Sequence, residues 1–239
     1  MNDSARRVFA IGDLHLPGSM DKTMDLFGIH WENHFEQIQQ DWIGSAREQD
    51  IVLIPGDISW AMRLEDARED LEAIGRLPGM KVMIRGNHDY WWKGLARVRE
   101  MLPAGMHVIQ HDGLEVGEYI FAGSRGWERP GGDAPDPETE KIYQRELIRL
   151  EMSLTHARKL DADKRLIALC HYPPTDAQGS PSPVTDLMAR FRVSDVVYGH
   201  LHGYACAGAF AGVVDGVRYH CVSCDCVGFK LYPLPETTA

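Results

Sequence analysis

Asp13-Leu14-His15, Gly56-Asp57, Gly86-Asn87-His88-Asp89, His171 and Gly199-His200-Leu201-His202 gather carboxylate, imidazole and amide groups into five short clusters. Such groups bind metals and carry protons. A neutral imidazole offers a ring lone pair and titrates near neutral pH. A carboxylate has two oxygens and can span two cations about 3.5–4 Å apart. Asn87 adds an uncharged oxygen. Mixed nitrogen and oxygen donors without thiolate suit borderline transition metals such as Mn, Fe, Zn, Co or Ni. One Gly-Asn-His-Asp tetrapeptide is as much a turn as a site. The weight therefore rests on all five clusters occurring together.

Each cluster ends an apolar run that reads as a strand: 8–11, 51–54, 80–84, 166–170 and 195–198. Apolar residues at helical spacing predict helices over 31–48 and 64–74, between the first three runs. Strand-helix-strand units of this length predict parallel strands, hence an α/β fold. Chemistry in such folds collects at the carboxyl ends of the strands. Further helices are expected over 92–101, 138–160 and 185–190. Short strands at 107–109, 114–116 and 119–122 read as an antiparallel set, and 217–222 and 229–232 as later strands. The glycine- and proline-rich stretch 123–137 reads as a long loop, a kind that is often functional.

The chain has 239 residues and a formal net charge of −10, with 44% hydrophobic and 25% charged residues. These values suit one soluble domain over 1–239. No apolar run approaches a membrane span, and the first apolar run is too short for a signal-peptide core. A cytoplasmic protein is expected. The acidic balance disfavours nucleic acid and anionic membranes as partners. Five cysteines, an odd count, make a disulfide framework unexpected. Strand alternation sets Cys221 opposite Cys224 and Cys226, which argues against a zinc cluster and for small buried hydrophobes. His30, His34, His107, His111 and His156 have no motif partners.

In their order, the five clusters resemble the motifs of the calcineurin-like metallophosphoesterase superfamily, over 12–202. The resemblance implies a metallophosphoesterase-type α/β/β/α sandwich of two mixed sheets flanked by helices. It also implies two divalent transition-metal ions. Asp13, His15 and His202 would hold one, and Asn87, His171 and His200 the other, with Asp57 bridging. A hydroxide between the metals would attack phosphorus in line. His88 would protonate the leaving oxygen as general acid, and Asp89 would orient its ring.

Protein phosphatases of this superfamily carry a valine-aspartate-arginine-glycine run after Gly-Asp, and Gly-Asn-His-Glu. This chain has Ile58-Ser59-Trp60 and Gly86-Asn87-His88-Asp89, so it resembles the bacterial phosphohydrolase and phosphodiesterase branches instead. A small-molecule phosphoester is the expected substrate. A nuclease would want a basic groove, against 25 Lys and Arg facing 35 Asp and Glu. A non-catalytic scaffold would show broken motifs, whereas every position is filled. Trp60, Arg63, Tyr90, Arg125 and Trp127 are the expected substrate contacts, Arg for its donor fork and the aromatics for stacking. Trp91 and Trp92 read as core.

Overall fold

The computed structural model describes residues 6–18, 24, 28–131 and 136–236. Their strands form two sheets. The first has the order β11-β1-β2-β3-β4, from β1 (Val8–Ala10), β2 (Ile51–Ile54), β3 (Met80–Met83), β4 (Met106–Val108) and β11 (Tyr232–Pro233). β1 to β4 run parallel, and β11 closes the edge antiparallel. The second has the order β5-β6-β7-β8-β10-β9, from β5 (Gly113–Val116), β6 (Tyr119–Ser124), β7 (Arg165–Cys170), β8 (Asp195–Tyr198), β9 (Gly212–Val214) and β10 (Val217–Cys221). Here β6, β7, β8 and β10 are parallel, and the outer strands are antiparallel.

Strand period explains the layering. Side chains alternate between faces, and both faces of these strands are apolar. In β1 and β2, Val8, Ala10, Ile51 and Leu53 face inward, meeting Phe121, Ile167 and Val197 of the second sheet. Phe9, Val52 and Ile54 face outward, onto Ile38 and Trp42 of α1 (His34–Ser45), Leu71 and Ile74 of α2 (Arg68–Gly75), and Val98 of α3 (Leu95–Met101). On the far side, Ala122, Ala168 and Val196 pack under Leu150 and Leu154 of α4 (Pro137–Leu160) and Met188 of α5 (Pro183–Arg190). The result is the expected helix, sheet, sheet, helix sandwich. The two long-range helices are capped by their own sequence: Asp136 accepts from the Thr139 N–H, and Ser182 and Thr185 form a reciprocal capping box, each before a proline at the first turn.

Three expectations need correction. β4 does not join β5 and β6 in an antiparallel set. It pairs parallel to β3, because Met106 and Val108 bury in the outer core of the first sheet and the Ile109 N–H donates to Met83 O. The stretch expected as a strand at 229–232 yields only Tyr232–Pro233, since Phe229 turns with φ 59° and packs against Trp31. Cys224 and Cys226 lie beyond β10, in a loop, so strand alternation does not apply to them. Cys226 pairs with Cys206 in a disulfide, with Cα atoms 5.3 Å apart. The odd cysteine count could not show that pair, because the turn at 199–206 brings the two together across the fold. No helix among the described residues is long and apolar enough to cross a membrane.

The amino ends of the second sheet carry an ionic clamp. Asp195 is fully buried at the start of β8. It accepts from Arg165 Nη2 at 2.7 Å, Arg218 Nε at 2.7 Å and His220 Nε2 at 3.1 Å, tying β7 and β10 to β8. Hydrogen bonds from His220, Arg218 and Arg165 outweigh burial and hold the carboxyl well below its ordinary range. A depressed pKa contributes stability above the unfolded value of about 3.9, and that contribution is lost as pH falls through the folded value. Asp195→Ala is expected to cost about 1–3 kcal/mol in urea unfolding at pH 7, by taking the shared acceptor from the half-buried Arg165 and Arg218 and the buried His220. The gap to the unaltered protein should close only in strong acid.

Candidate metal centre

At the opposite, carboxyl ends of the strands the chain turns in unusual conformations. Asp13, His15, Asp57 and His200 have φ of 57°, 45°, 50° and 75°, in the left-handed region. Asp and His tolerate that region better than most residues, yet each such position costs on the order of 1–3 kcal/mol. The cost is met by a ladder that continues past β1 and β2: Asp13 N–H to Gly56 O, His15 N–H to Asp57 O and Leu16 N–H to Ile58 O, each 3.0 Å. His34, on α1, donates to Leu14 O at 2.8 Å and props the same turn. Cys224 Sγ approaches Asp13 O at 3.0 Å from the other side.

Glycines let these turns meet. A Cβ on Gly86 would lie 2.1 Å from Asp57 Oδ1 and 2.3 Å from Asp57 N. A Cβ on Gly199 would lie 2.3 Å from Asp13 Oδ2. Neither position has room for a side chain. The β3 and β8 turns can therefore press their backbones directly onto the carboxylates of the β2 and β1 turns.

The side chains converge in two sets. His15 Nε2 lies 3.3 Å from His202 Nε2, and His202 Nε2 lies 3.8 Å from Asp13 Oδ1. Donor atoms of Asp13, His15 and His202 all lie within 4.8 Å of one another. In the second set, His171 Nε2 is 2.5 Å from Asn87 Oδ1, and His200 Nδ1 is 3.1 Å from the same oxygen and 3.3 Å from His171 Nε2. Asp57 stands between them. Its Oδ1 accepts the His88 N–H at 2.8 Å, while its Oδ2 lies 3.7 Å from His15 Nε2 and 3.4 Å from His171 Nε2. All seven residues expected as ligands are thus brought together.

The donor set fits divalent cations. His171 Nδ1–H donates to Pro55 O at 3.0 Å, which leaves Nε2 bare toward Asn87 and Asp57. His15 Nε2 and His202 Nε2 point at one another beside two buried carboxylates. A cation satisfies converging lone pairs of this kind together. Electrostatics agree. Burial pushes the Asp13 carboxyl up to about 7 and Asp57 well above its ordinary value. Burial also holds His15 and His171 well below theirs and brings His200 down to about 4. The imidazoles are therefore neutral and ready to ligate. His202 is the exception, raised by its hydrogen bond to Asp225 against burial.

Asp225, which belongs to none of the five clusters, joins the candidate site. His202 Nδ1–H donates to its Oδ1 at 2.9 Å, and the Gly203 N–H to its Oδ2 at 2.8 Å. The carboxylate fixes which ring nitrogen faces the centre. No spacing rule links Asp225 to His202, and its cysteine neighbours drew attention to thiol chemistry instead.

Asp89 takes a different place from the one expected. Its fully buried carboxylate accepts from the N–H groups of Gly86, Ile58 and Ser59 and from the Trp91 indole, at 2.7 to 3.2 Å. Those donors occupy both oxygens, so Asp89 clamps the β2 and β3 turns together. His88 lines a cavity of about 370 Å³ beside the candidate ligands His15, Asp57, His200 and His202, with Trp60, Trp31, Met24, His30 and Tyr204. Its ring centroid is 4.5 Å from that of Trp60, which stacks on His15 at 4.8 Å. Tyr90 meets His88 edge-on, with ring centroids 6.0 Å apart, and is 40% exposed.

The other expected substrate contacts lie outside this cavity. Arg63 is exposed in the turn before α2 and lines none of this cavity. Trp127 lines a pocket of about 310 Å³ on the other side of His200, with Tyr172 between them, its ring 5.2 Å from Trp127 and 4.1 Å from His200. Arg125 lies over Trp127, with Cζ 4.7 Å from the ring centre, and opens into a separate pocket. A loop position near the motifs was too coarse a signal to tell one side of the β3 turn from the other. Trp91 and Trp92 are buried, as expected.

A family model described as calcineurin-like phosphoesterase matches residues 6–204. Two solved structures share the fold across nearly the whole chain. A protein of unknown function, AQ665 from Aquifex aeolicus, is 16% identical with a TM-score of 0.51, covering 96% of each chain. Phosphopantetheinyl hydrolase (PptH) from Mycobacterium tuberculosis is 16% identical with a TM-score of 0.58, covering 96% of this chain and 95% of its own. A search of curated proteins gave no match. Asp225→Asn should weaken divalent-metal affinity about 10–100-fold, read by competition with a metal-sensing dye, because the His202 ring loses its anchor.

Proposed function

The chain belongs to the calcineurin-like phosphoesterase family, and from that premise we propose that it hydrolyses a small-molecule phosphoester at a two-metal centre. One observation carries the reading: Asp57 Oδ2 faces both donor sets, 3.7 Å from His15 Nε2 and 3.4 Å from His171 Nε2. Asp13, His15 and His202 would hold one ion, Asn87, His171 and His200 the other, and Asp57 would touch both. Bound ions of this class supply positive charge that polarises phosphoryl oxygens and lowers the pKa of water.

The chain's own residues account for the rest. The Asp57 carboxylate is kept in register by the His88 N–H on its other oxygen. His88 sits where the cavity meets the ligands and can give a proton to the departing oxygen. Trp60, Trp31 and Met24 make the cavity wall apolar, which favours an aromatic or aliphatic leaving group. Stacking of Trp60 on His15 also excludes water from one side of the ligand cluster. An apolar cavity of this size suits a phosphodiesterase or small-molecule phosphatase better than a nuclease. The formal net charge of −10 points the same way.

Purified protein is expected to hydrolyse aryl phosphodiesters or monoesters only when a divalent transition metal is supplied. His88→Ala should lower kcat about 10²–10⁴-fold on phenyl or alkyl esters. The loss should be smaller on p-nitrophenyl esters, whose leaving group needs less protonation. Equal kcat values for variant and wild type on every ester would remove His88 from the acid role.

A further inference from the structure

The second pocket, into which Arg125 opens, has no part in the chemistry above. It measures about 260 Å³ and is walled by the ends of β3, β4 and β6 and by one face of α4. Arg85, Arg125, Arg145 and Arg149 line it, with Glu146 as the single carboxylate. That concentration of positive charge stands out in a chain of net charge −10.

Glu146 is already committed. It is buried, its Oε2 accepts from Ser124 Oγ at 2.8 Å, and its Oε1 lies 2.7 Å from Arg149 Nη1 and 3.6 Å from Arg125 Nη2. Arg85 and Arg145 pair with no carboxylate among the described residues. Arg85 Nε is buried without a hydrogen-bond partner. Burying or crowding guanidinium groups without an anion is costly, and a phosphate-class oxyanion offers the fork of acceptors that they match.

The pocket lies at the same edge of the sandwich as the metal centre and shares backbone with it. Arg85 precedes Gly86-Asn87, and Arg125 O accepts the N–H groups of His171 and Tyr172, each at 3.0 Å. We infer that this pocket binds a phosphate-class oxyanion, carried as a second phosphate on the substrate or present as a free anion. Only the substrate-borne form rests on the phosphoester reading. The structure places Arg85 and Arg145 as the principal donors, with Arg125 and Arg149 held in reserve by Glu146.

The test needs neither metal nor turnover. Protein stripped of divalent ions by chelator is dialysed and titrated calorimetrically with pyrophosphate at low ionic strength, where these charges are least screened. The unaltered protein should bind. Arg85→Gln with Arg145→Gln should weaken binding by about a hundredfold, roughly tenfold per guanidinium. Arg145→Glu alone, at an exposed position on α4, should weaken it about tenfold or more, and it stands as the reading if the double variant does not fold. No binding by the unaltered protein, or equal affinity in Arg145→Glu, overturns the inference. With metal-loaded protein, the source of the anion is read from kinetics. A KM that rises in the double variant for an aryl ester bearing a second phosphate, but not for p-nitrophenyl phosphate, assigns the anion to the substrate. A response of kcat to added inorganic phosphate that the double variant lacks assigns it to a free anion.

Discussion

Asp57 is the constraint on which the rest depends. A carboxylate buried between two sets of imidazoles cannot simply sit there; burial drives it toward the neutral acid. The structure nonetheless surrounds it on every side. Gly86 presses against it, the His88 N–H fixes one oxygen, and the left-handed turn at Asp57 aims the other between the two sets. Cations in both sets would restore the charge balance that burial removes. On this view the strained turns, the side-chain-free approach at Gly86 and Gly199, and the depressed imidazoles are one arrangement with one purpose.

The sandwich separates two tasks along the strands. The amino ends of the second sheet carry the Asp195 clamp, which ties strands together and faces no cavity of the site. The carboxyl ends of both sheets carry the candidate ligands, the apolar cavity and the arginine pocket. This follows from parallel topology. Successive parallel strands deliver their carboxyl ends to one edge, so turns distant in sequence, such as those at Asp13 and His200, become neighbours in space. The C-terminal loop then reaches back to close the assembly: Gly12 N–H donates to Val222 O at 2.7 Å, and Asp225 anchors His202.

Much of this was legible in the sequence, for identifiable reasons. Buried strands with apolar residues on both faces leave continuous runs such as Ile51–Ile54, and a strand stopped by Gly-Asp or Gly-Asn-His stands out against them. The candidate ligands were legible because each lies at such a stop. Roles that depend on which atom faces which were not legible. Asp89 beside His88 in sequence reads as its partner, yet the turn sends the carboxylate back to four N–H donors. Asp225 supports His202 across 23 residues through a loop no periodicity describes. Arg63 and Arg125 show the limit for substrate contacts: proximity in sequence to a motif does not decide on which side of a turn a long side chain emerges.

A two-metal centre requires both donor sets to share Asp57. The direct measurement is metal stoichiometry by plasma mass spectrometry, on protein loaded with manganese and freed of excess metal, for the unaltered chain and for Asp57→Ala. About two ions per chain are expected in the first and loss of both in the second. A single ion per chain that Asp57→Ala leaves in place would rule out a centre bridged by Asp57.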